Sequence, residues 1–328
     1  MLTDTYDVAL LDLDGVVYRG HHPIEKAAEA LAEARGRGMR LAYVTNNASR
    51  TPGAVAALLT GMGVPAGEED VVTSAQSAAR LLSEKLPPGA KVLAVGGTAL
   101  RHALYARGLT PVSTAAEGPE AVVQGFSPDL SYGLIAQGAQ AVRNGALFVA
   151  SNGDFTVPVN QGPPKPGNGS LTKVIEYATG VAPVVTGKPE IPLHRESILR
   201  TGAERPLIVG DRLDTDIEGA HNGGADSLLV FTGVTDPLTA LTAAPEHRAT
   251  YLAPDLTGLL TAYPDVTEEA EAYGCGGWHA RWQDGAVRLT GEGDPWHGLR
   301  ALAAAAWRAP EPVPADAVRA ALTGLGLA

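Results

Sequence analysis

Sulfur chemistry is almost missing from this chain: Cys275 is the only cysteine among 328 residues. One thiol excludes an intramolecular disulfide framework and any cysteine-based structural zinc site. The eight histidines show no His-x-x-x-His spacing, so a histidine zinc site is not expected either. No apolar run approaches the ~20 residues that a helix needs to cross a bilayer, which leaves no expected membrane span. Cationic residues are outnumbered, 25 Lys and Arg against 36 Asp and Glu, for a formal charge of -11. That balance opposes broad binding to phosphate backbones, so nucleic acid is not an expected partner, although a local cationic site for one small anion stays open. The opening MLTDTYDVALL carries acids and no basic stretch before its short apolar run, so a secretory signal is not expected and a cytoplasmic location follows.

From Val8 to Leu260, short aliphatic runs alternate with Ala-rich helical segments, the pattern of an α/β protein with a mainly parallel sheet. Strands are predicted at 8–13, 41–45, 91–95, 121–124, 147–150, 206–209 and 227–231. Helices are predicted at 24–37, 53–61, 74–85, 98–107, 130–143, 171–179 and 215–222, many closed by Gly or Pro. Composition shifts past Tyr263, where PDVTEEAEAY leads into a Gly-rich stretch holding three of the four tryptophans. There the pattern predicts a hairpin turning near Asp284–Gly285, then helices at about 299–307 and 315–322. An appendage of this size is marginal as an independent domain and should pack on the main body.

The chemistry-bearing residues gather at strand ends, where open α/β sheets bind ligands. In LLDLDGVVYRG, Asp12 and Asp14 end the first strand beside Gly15; alone, D-x-D reads equally well as a solvated strand exit. VTNN puts Thr45, Asn46 and Asn47 at the next strand end, where a hydroxyl and backbone amides suit a phosphoryl oxygen as well as a helix cap. TGKP supplies Lys188 in a chain poor in lysine, and an ammonium is a point charge suited to phosphate. IVGDRLDTDIEGA clusters Asp211, Asp214 and Asp216, the oxygen-rich donors that a hard cation such as Mg2+ takes.

Taken in order, D-L-D-G-V, T-N-N, a lysine before proline and G-D-R-L-D-T-D resemble the four motifs of the haloacid dehalogenase superfamily. The longer wordings DLDGVVYRG, VTNNASRT and GDRLDTDI resemble its class IIA phosphatases, the NagD-like and para-nitrophenyl phosphatase group, over about residues 7–262. The resemblance implies an α/β fold, with a Rossmann-like core (1–73 and 186–264) and an inserted α/β C2-type cap (74–185) that sets substrate specificity; beyond it the hairpin and helices read above make a small α+β appendage (265–328). The 140 residues between Asn47 and Lys188 are too many for one crossover, in keeping with an inserted domain. By the same resemblance, Asp12 is the nucleophile that becomes an aspartyl phosphate, and Asp14 is the acid and base. Asp12, the Asp14 carbonyl and Asp211 bind Mg2+, with Asp216 in support. Gly15, Thr45, Asn46, Asn47 and Lys188 hold the phosphoryl group, and Gly15 to Gly20 form a short flap. An aspartate at position 14 favours a phosphatase over dehalogenases, which lack it, and over pumping ATPases, which have threonine there.

The Gly, Pro and Asn crowding of SNGDFTVPVNQGPPKPGNGS resembles the cap loop these enzymes lower over the site, with Asn152, Asp154 and the turn around Gly169 toward the leaving group. Some actinobacterial-type class IIA members with such a tail, which this chain resembles, hydrolyse glycerol 3-phosphate, so that small phosphomonoester is placed first. Nucleoside monophosphates, phosphoglycolate and pyridoxal phosphate remain open, as does phosphoryl transfer of the mutase kind. Arg288 to Gly293 match the R-x-x-G-x-G signature of GNAT acetyltransferases, which cradles a pyrophosphate, but the tail is far too short for that fold. A truncated GNAT-like remnant with residual CoA binding, and a regulatory role in which the phosphatase site is secondary, is one alternative. Packing or a dimer contact through Trp278, Trp282 and Trp296 is the favoured one. Relatives often dimerise through the cap, so a homodimer is compatible with the resemblance.

Overall fold

In the computed structural model, which describes residues 1–157, 162–309 and 313–328, the chain divides into two compact units. One comprises residues 1–41 and 204–328, the other 42–203. Among the described residues no helix is long and apolar enough to cross a membrane.

The first unit is built on parallel strands Val8–Leu11, Pro206–Gly210, Asp226–Val230 and Tyr251–Ala253, neighbours in that order. All four residues of the first strand are buried, as befits a parallel sheet covered on both faces, so these strands read as continuous aliphatic runs without alternation. Asp7 pins the sheet's lower end: its carboxylate accepts the backbone N–H groups of Glu204 (3.1 Å) and Arg205 (2.8 Å) and pairs with Arg40 at 2.9 Å.

The same unit carries the C-terminal residues as an antiparallel meander, Thr267–Glu269, Ala272–Cys275, Trp278–Gln283 and Ala286–Gly291, with helices Pro295–Trp307 and Ala315–Leu325. The expected hairpin turn is there, with Asp284 and Gly285 both left-handed (φ 52° and 74°), as a two-residue hairpin turn of this twist requires. Leu299, Leu302, Val318 and Leu322 from the two helices share one buried cluster with Leu229, Leu241 and Leu252 of the parallel-sheet layer. Polar contacts reinforce that seam: Trp307 Nε1 donates to Ala240 O (3.1 Å), and Arg248 Nη1 donates to Trp307 O (2.9 Å).

In the second unit, strand Arg40–Thr45, which enters from the first, pairs in parallel with Val71–Thr73. Beyond it lies a five-stranded parallel sheet in the order Val184–Val185, Leu147–Ala150, Ala121–Gln124, Lys91–Val95, Thr110–Val112. Helices Ser74–Lys85 and Thr98–Ala106 cover one face, and Tyr132–Arg143 and Asn168–Thr179 the other. The predicted cap, 74–185, lies inside this unit, which extends past it to residues 42 and 203.

Helix Ile191–Thr201 is absent from the sequence-based prediction because its buried face is polar: His194, Glu196 and Ser197 lie beside Leu193. Burial of the Glu196 carboxylate is sustained by guanidinium groups from three helix segments, those of Arg80, Arg107 (2.9 Å) and Arg200 (3.3 Å). A charge buried this way needs such partners. The short strands Val71–Thr73, Thr110–Val112, Val184–Val185 and Tyr251–Ala253 also escape prediction, being too brief to show a period.

Candidate active site

Two groups of motif residues emerge, one in each unit. In the first, Asp12 follows the opening strand and extends its pairing by one residue, its N–H donating to Val209 O at 2.8 Å. Asp211 follows the neighbouring strand, and Asp216 sits in a single π-helical turn, Leu213–Ile217. Turns of this kind recur at functional sites because they re-aim side chains. One carboxylate oxygen from each of Asp12, Asp211 and Asp216 lies within 4.8 Å of the others, with Asp211 and Asp216 0 % and 1 % exposed.

The backbone is shaped around these acids. Gly15 adopts φ 92°, and a Cβ there would lie 2.5 Å from Asp211 Oδ2. At Gly233 a Cβ would overlap the same oxygen, and at Gly210 it would overlap Asp216. The Val234 N–H donates to Asp211 Oδ2 (2.7 Å), the Arg212 N–H to Asp216 Oδ2 (3.2 Å), and Thr232 Oγ1 to Gly15 O (2.6 Å). Carboxylates held this close repel one another, and an all-oxygen donor set of this kind is what Mg2+ requires, so the residues fit that ion. Asp214 lies outside the cluster, exposed and paired with Arg212 at 2.7 Å.

Asp14 is exposed, and its Oδ1 accepts the Gly20 N–H at 3.2 Å. Of the expected flap, Gly15 to Gly20, residues Tyr18–Arg19 pair with His22–Pro23 in a small hairpin, and Arg19 donates to Thr232 O. The loop Thr232–Val234 is the part of this group that sequence reading missed; a glycine just past a strand end was its only signal.

That glycine supports a prediction. Gly233→Ala should force Asp211 aside and weaken Mg2+ binding by roughly 10- to 100-fold. A magnesium titration checks it, and an unchanged midpoint contradicts the assignment.

In the second unit, Thr45 and Lys188 are 8 % and 5 % exposed. Thr45 Oγ1 accepts the Asn47 N–H (3.1 Å), and Asn47 Oδ1 accepts from the Ser49 N–H (2.7 Å) and hydroxyl (2.8 Å), so Asn47 shapes the turn. Lys188 Nζ donates to Val44 O at 3.4 Å.

Asn46 is the hub of this group. Its Oδ1 accepts the Lys188 N–H (2.8 Å), while its Nδ2 donates to Lys188 O (3.2 Å) and to Asp154 Oδ1 (3.1 Å). Its carbonyl accepts from Ser74 Oγ (2.6 Å) and Asn152 Nδ2 (2.7 Å). Asn152 and Asp154, expected toward a leaving group, are thus tied to Asn46. Gly169 is buried at the start of helix Asn168–Thr179, its N–H on Asp154 O at 2.9 Å, and a Cβ there would overlap Gly153 O. Residues 158–161 of the expected cap loop lie outside the described residues.

Two haloacid dehalogenase-like hydrolase families match the chain, over residues 9–110 and 185–259, and a GCN5-related N-acetyltransferase like domain matches residues 275–327. D-glycerol 3-phosphate phosphatase of Mycobacterium tuberculosis is 44% identical over 317 residues, 94% of this chain and 88% of that protein. A 5'-nucleotidase of Bacillus subtilis is 41% identical over 233 residues, 70% of this chain and 89% of its own length. Among solved structures, the glycerol phosphate phosphatase of M. tuberculosis in complex with magnesium superposes with a TM-score of 0.90 at 42% identity, covering 100% of this chain and 99% of that one. With the acidic cluster, the lysine and the fold in agreement, the chain belongs to the haloacid dehalogenase-like hydrolases.

Proposed function

We propose that this protein is a cytoplasmic phosphatase whose preferred substrate is glycerol 3-phosphate. The chain is a phosphoric monoester hydrolase of the haloacid dehalogenase type that uses Mg2+. One observation carries the choice of substrate: likeness to the glycerol 3-phosphate phosphatase runs through the appendage, across 94% of the chain, whereas the 5'-nucleotidase matches 70%.

Asp12, Asp211 and Asp216 hold the Mg2+, which supplies Lewis-acid charge to the phosphoryl oxygens when bound. An Asp12 carboxylate oxygen attacks phosphorus, forming the Asp12–phosphoryl bond as the ester P–O bond breaks. Asp14, exposed and two residues after the nucleophile, passes its proton to the departing alkoxide. It then takes a proton from water, whose oxygen attacks phosphorus and releases orthophosphate and the Asp12 carboxylate. Thr45, the Asn46 N–H and the Lys188 ammonium hold the phosphoryl group, and Gly15 lets the backbone approach it. Residues 74–185 serve as the cap.

For the appendage we propose packing in place of CoA binding. Asp294 caps helix Pro295–Trp307 by accepting the Trp296 N–H at 2.9 Å, placing a carboxylate where the signature calls for a pyrophosphate. Gly291 and Gly293 face the carbonyls of Gly277 and Gly276, a close approach that accounts for both glycines.

A phosphate-release screen tests the reading of substrate, with glycerol 3-phosphate, nucleoside monophosphates, phosphoglycolate and pyridoxal phosphate, each with and without Mg2+. The expected result is Mg2+-dependent release with the highest kcat/KM on glycerol 3-phosphate. Preference for another ester moves the substrate assignment to it. If added alcohol captures most of the phosphoryl group in place of water, the enzyme is a transferase.

A further inference from the structure

We propose that Asp154 is a positioning residue for phosphate binding, acting through Asn46 on Lys188, and is not a contact to the leaving alcohol. The inference rests on the phosphatase reading above, in which Lys188 is the phosphate-binding cation.

A side-chain amide has two faces of opposite character, donor and acceptor, and its neighbours decide which way it lies. Around Asn46 the neighbours leave one choice. On the Nδ2 side stand two acceptors, the Asp154 carboxylate at 3.1 Å and the Lys188 carbonyl at 3.2 Å; on the Oδ1 side stands one donor, the Lys188 N–H at 2.8 Å. Turned over, the amide would set its oxygen against a carboxylate and a carbonyl, and its NH2 against an N–H. With the Asp154 charge in place, Asn46 grips both peptide groups of Lys188 and fixes where the ammonium stem begins.

Asp154 is itself held firmly. Its N–H donates to Asn152 Oδ1 (3.2 Å), and its carbonyl accepts the Gly169 N–H (2.9 Å). Asn152 is 3 % exposed; its Nδ2 reaches Asn46 O (2.7 Å), and its carbonyl accepts from Asn168 Nδ2 (2.8 Å). The glycine before the lysine completes the joint: a Cβ at Gly187 would stand 2.6 Å from Asn46 Oδ1 and 2.7 Å from Ser151 O. The loop that leaves strand Leu147–Ala150, the T-N-N turn and the lysine peptide are therefore one hydrogen-bonded body. Within that body, the Asp154 carboxylate is the charged group of the loop that meets the Asn46 amide.

Orthophosphate separates this role from contact with a leaving group, because it has none. Calorimetric titration of orthophosphate into the Mg2+-loaded full-length protein should give a dissociation constant roughly 10- to 100-fold weaker for Asp154→Ala, the effect of losing one hydrogen bond to a charged group. In turnover, kcat/KM should fall by one common factor for glycerol 3-phosphate, para-nitrophenyl phosphate and a nucleoside monophosphate. Asp154→Asn keeps an acceptor for Asn46 Nδ2 and should recover most of both, which separates positioning from loss of the fold. Orthophosphate affinity equal to that of the unsubstituted protein, with losses that differ from ester to ester, overturns the inference and makes Asp154 a leaving-group contact. If the unsubstituted protein binds no orthophosphate with Mg2+ present, the phosphatase reading and the inference fall together.

Discussion

Replacing Asp12 by asparagine is expected to abolish Mg2+-dependent phosphate release, by at least about four orders of magnitude, while leaving the protein folded. The amide nearly matches the carboxylate in shape, and the backbone N–H that extends the strand to Val209 is untouched. Two functions disappear together: an amide oxygen is a poor nucleophile toward phosphorus, and a neutral ligand holds the cation less tightly. Stability moves the other way. Asp12 lies within 4.8 Å of the buried carboxylates of Asp211 and Asp216, so removing its charge relieves repulsion in metal-free protein. Thermal unfolding without Mg2+ should therefore show the variant at least as stable as the parent. Near-parental turnover would remove Asp12 from its role; a lowered melting point without Mg2+ would contradict the electrostatic description of the cluster.

The second large effect is on the fold. A chain ending at residue 264 should fail to give a stable monomer, although relatives such as the B. subtilis 5'-nucleotidase match only 70% of this chain. The difference lies in what the appendage covers. Leu229, Leu241 and Leu252 of the sheet layer are 0 %, 1 % and 3 % exposed, and they share their cluster with Leu299, Leu302, Val318 and Leu322. Truncation would bare that apolar face and leave the Ala240 carbonyl without the Trp307 indole. A milder version is Leu302→Ala, expected to cost about 2–5 kcal/mol through the cavity it leaves. Against a typical total of about 5–15 kcal/mol that is a large share. Denaturant unfolding and sedimentation measure both variants. A monodisperse, cooperatively folding truncated chain with the parental midpoint would show the appendage to be dispensable to the core.

How much of this was legible beforehand follows from the physics of each element. The buried strands 91–95, 121–124 and 147–150 read clearly, because a parallel sheet covered on both faces demands uninterrupted aliphatic runs. Helix Ser74–Lys85 read clearly too, with Thr73 as its cap. Helix Ile191–Thr201 did not, since the buried Glu196 is compensated by Arg80 and Arg107, far away in sequence, as well as by Arg200 one turn on, and no local pattern reports the distant pair. In the site, Asp12, Asp211 and Asp216 were readable as strand-end acids. Asn46 was readable only in part. Its turn position marked it as a phosphate ligand, but its engagement with Asp154 and Lys188 spans 108 and 142 residues, a pairing that only the folded chain brings together.

The central claim is that Asp12 carries the phosphoryl group between two displacements, and acid quenching during turnover tests it most directly. Protein mixed with glycerol 3-phosphate and Mg2+ is quenched within one turnover, digested, and mapped by mass spectrometry. A phosphoryl adduct on Asp12, formed at least as fast as orthophosphate appears and absent from Asp12→Asn, is the predicted result. Steady release of orthophosphate while Asp12 stays unmodified, or an adduct on another residue, would contradict it.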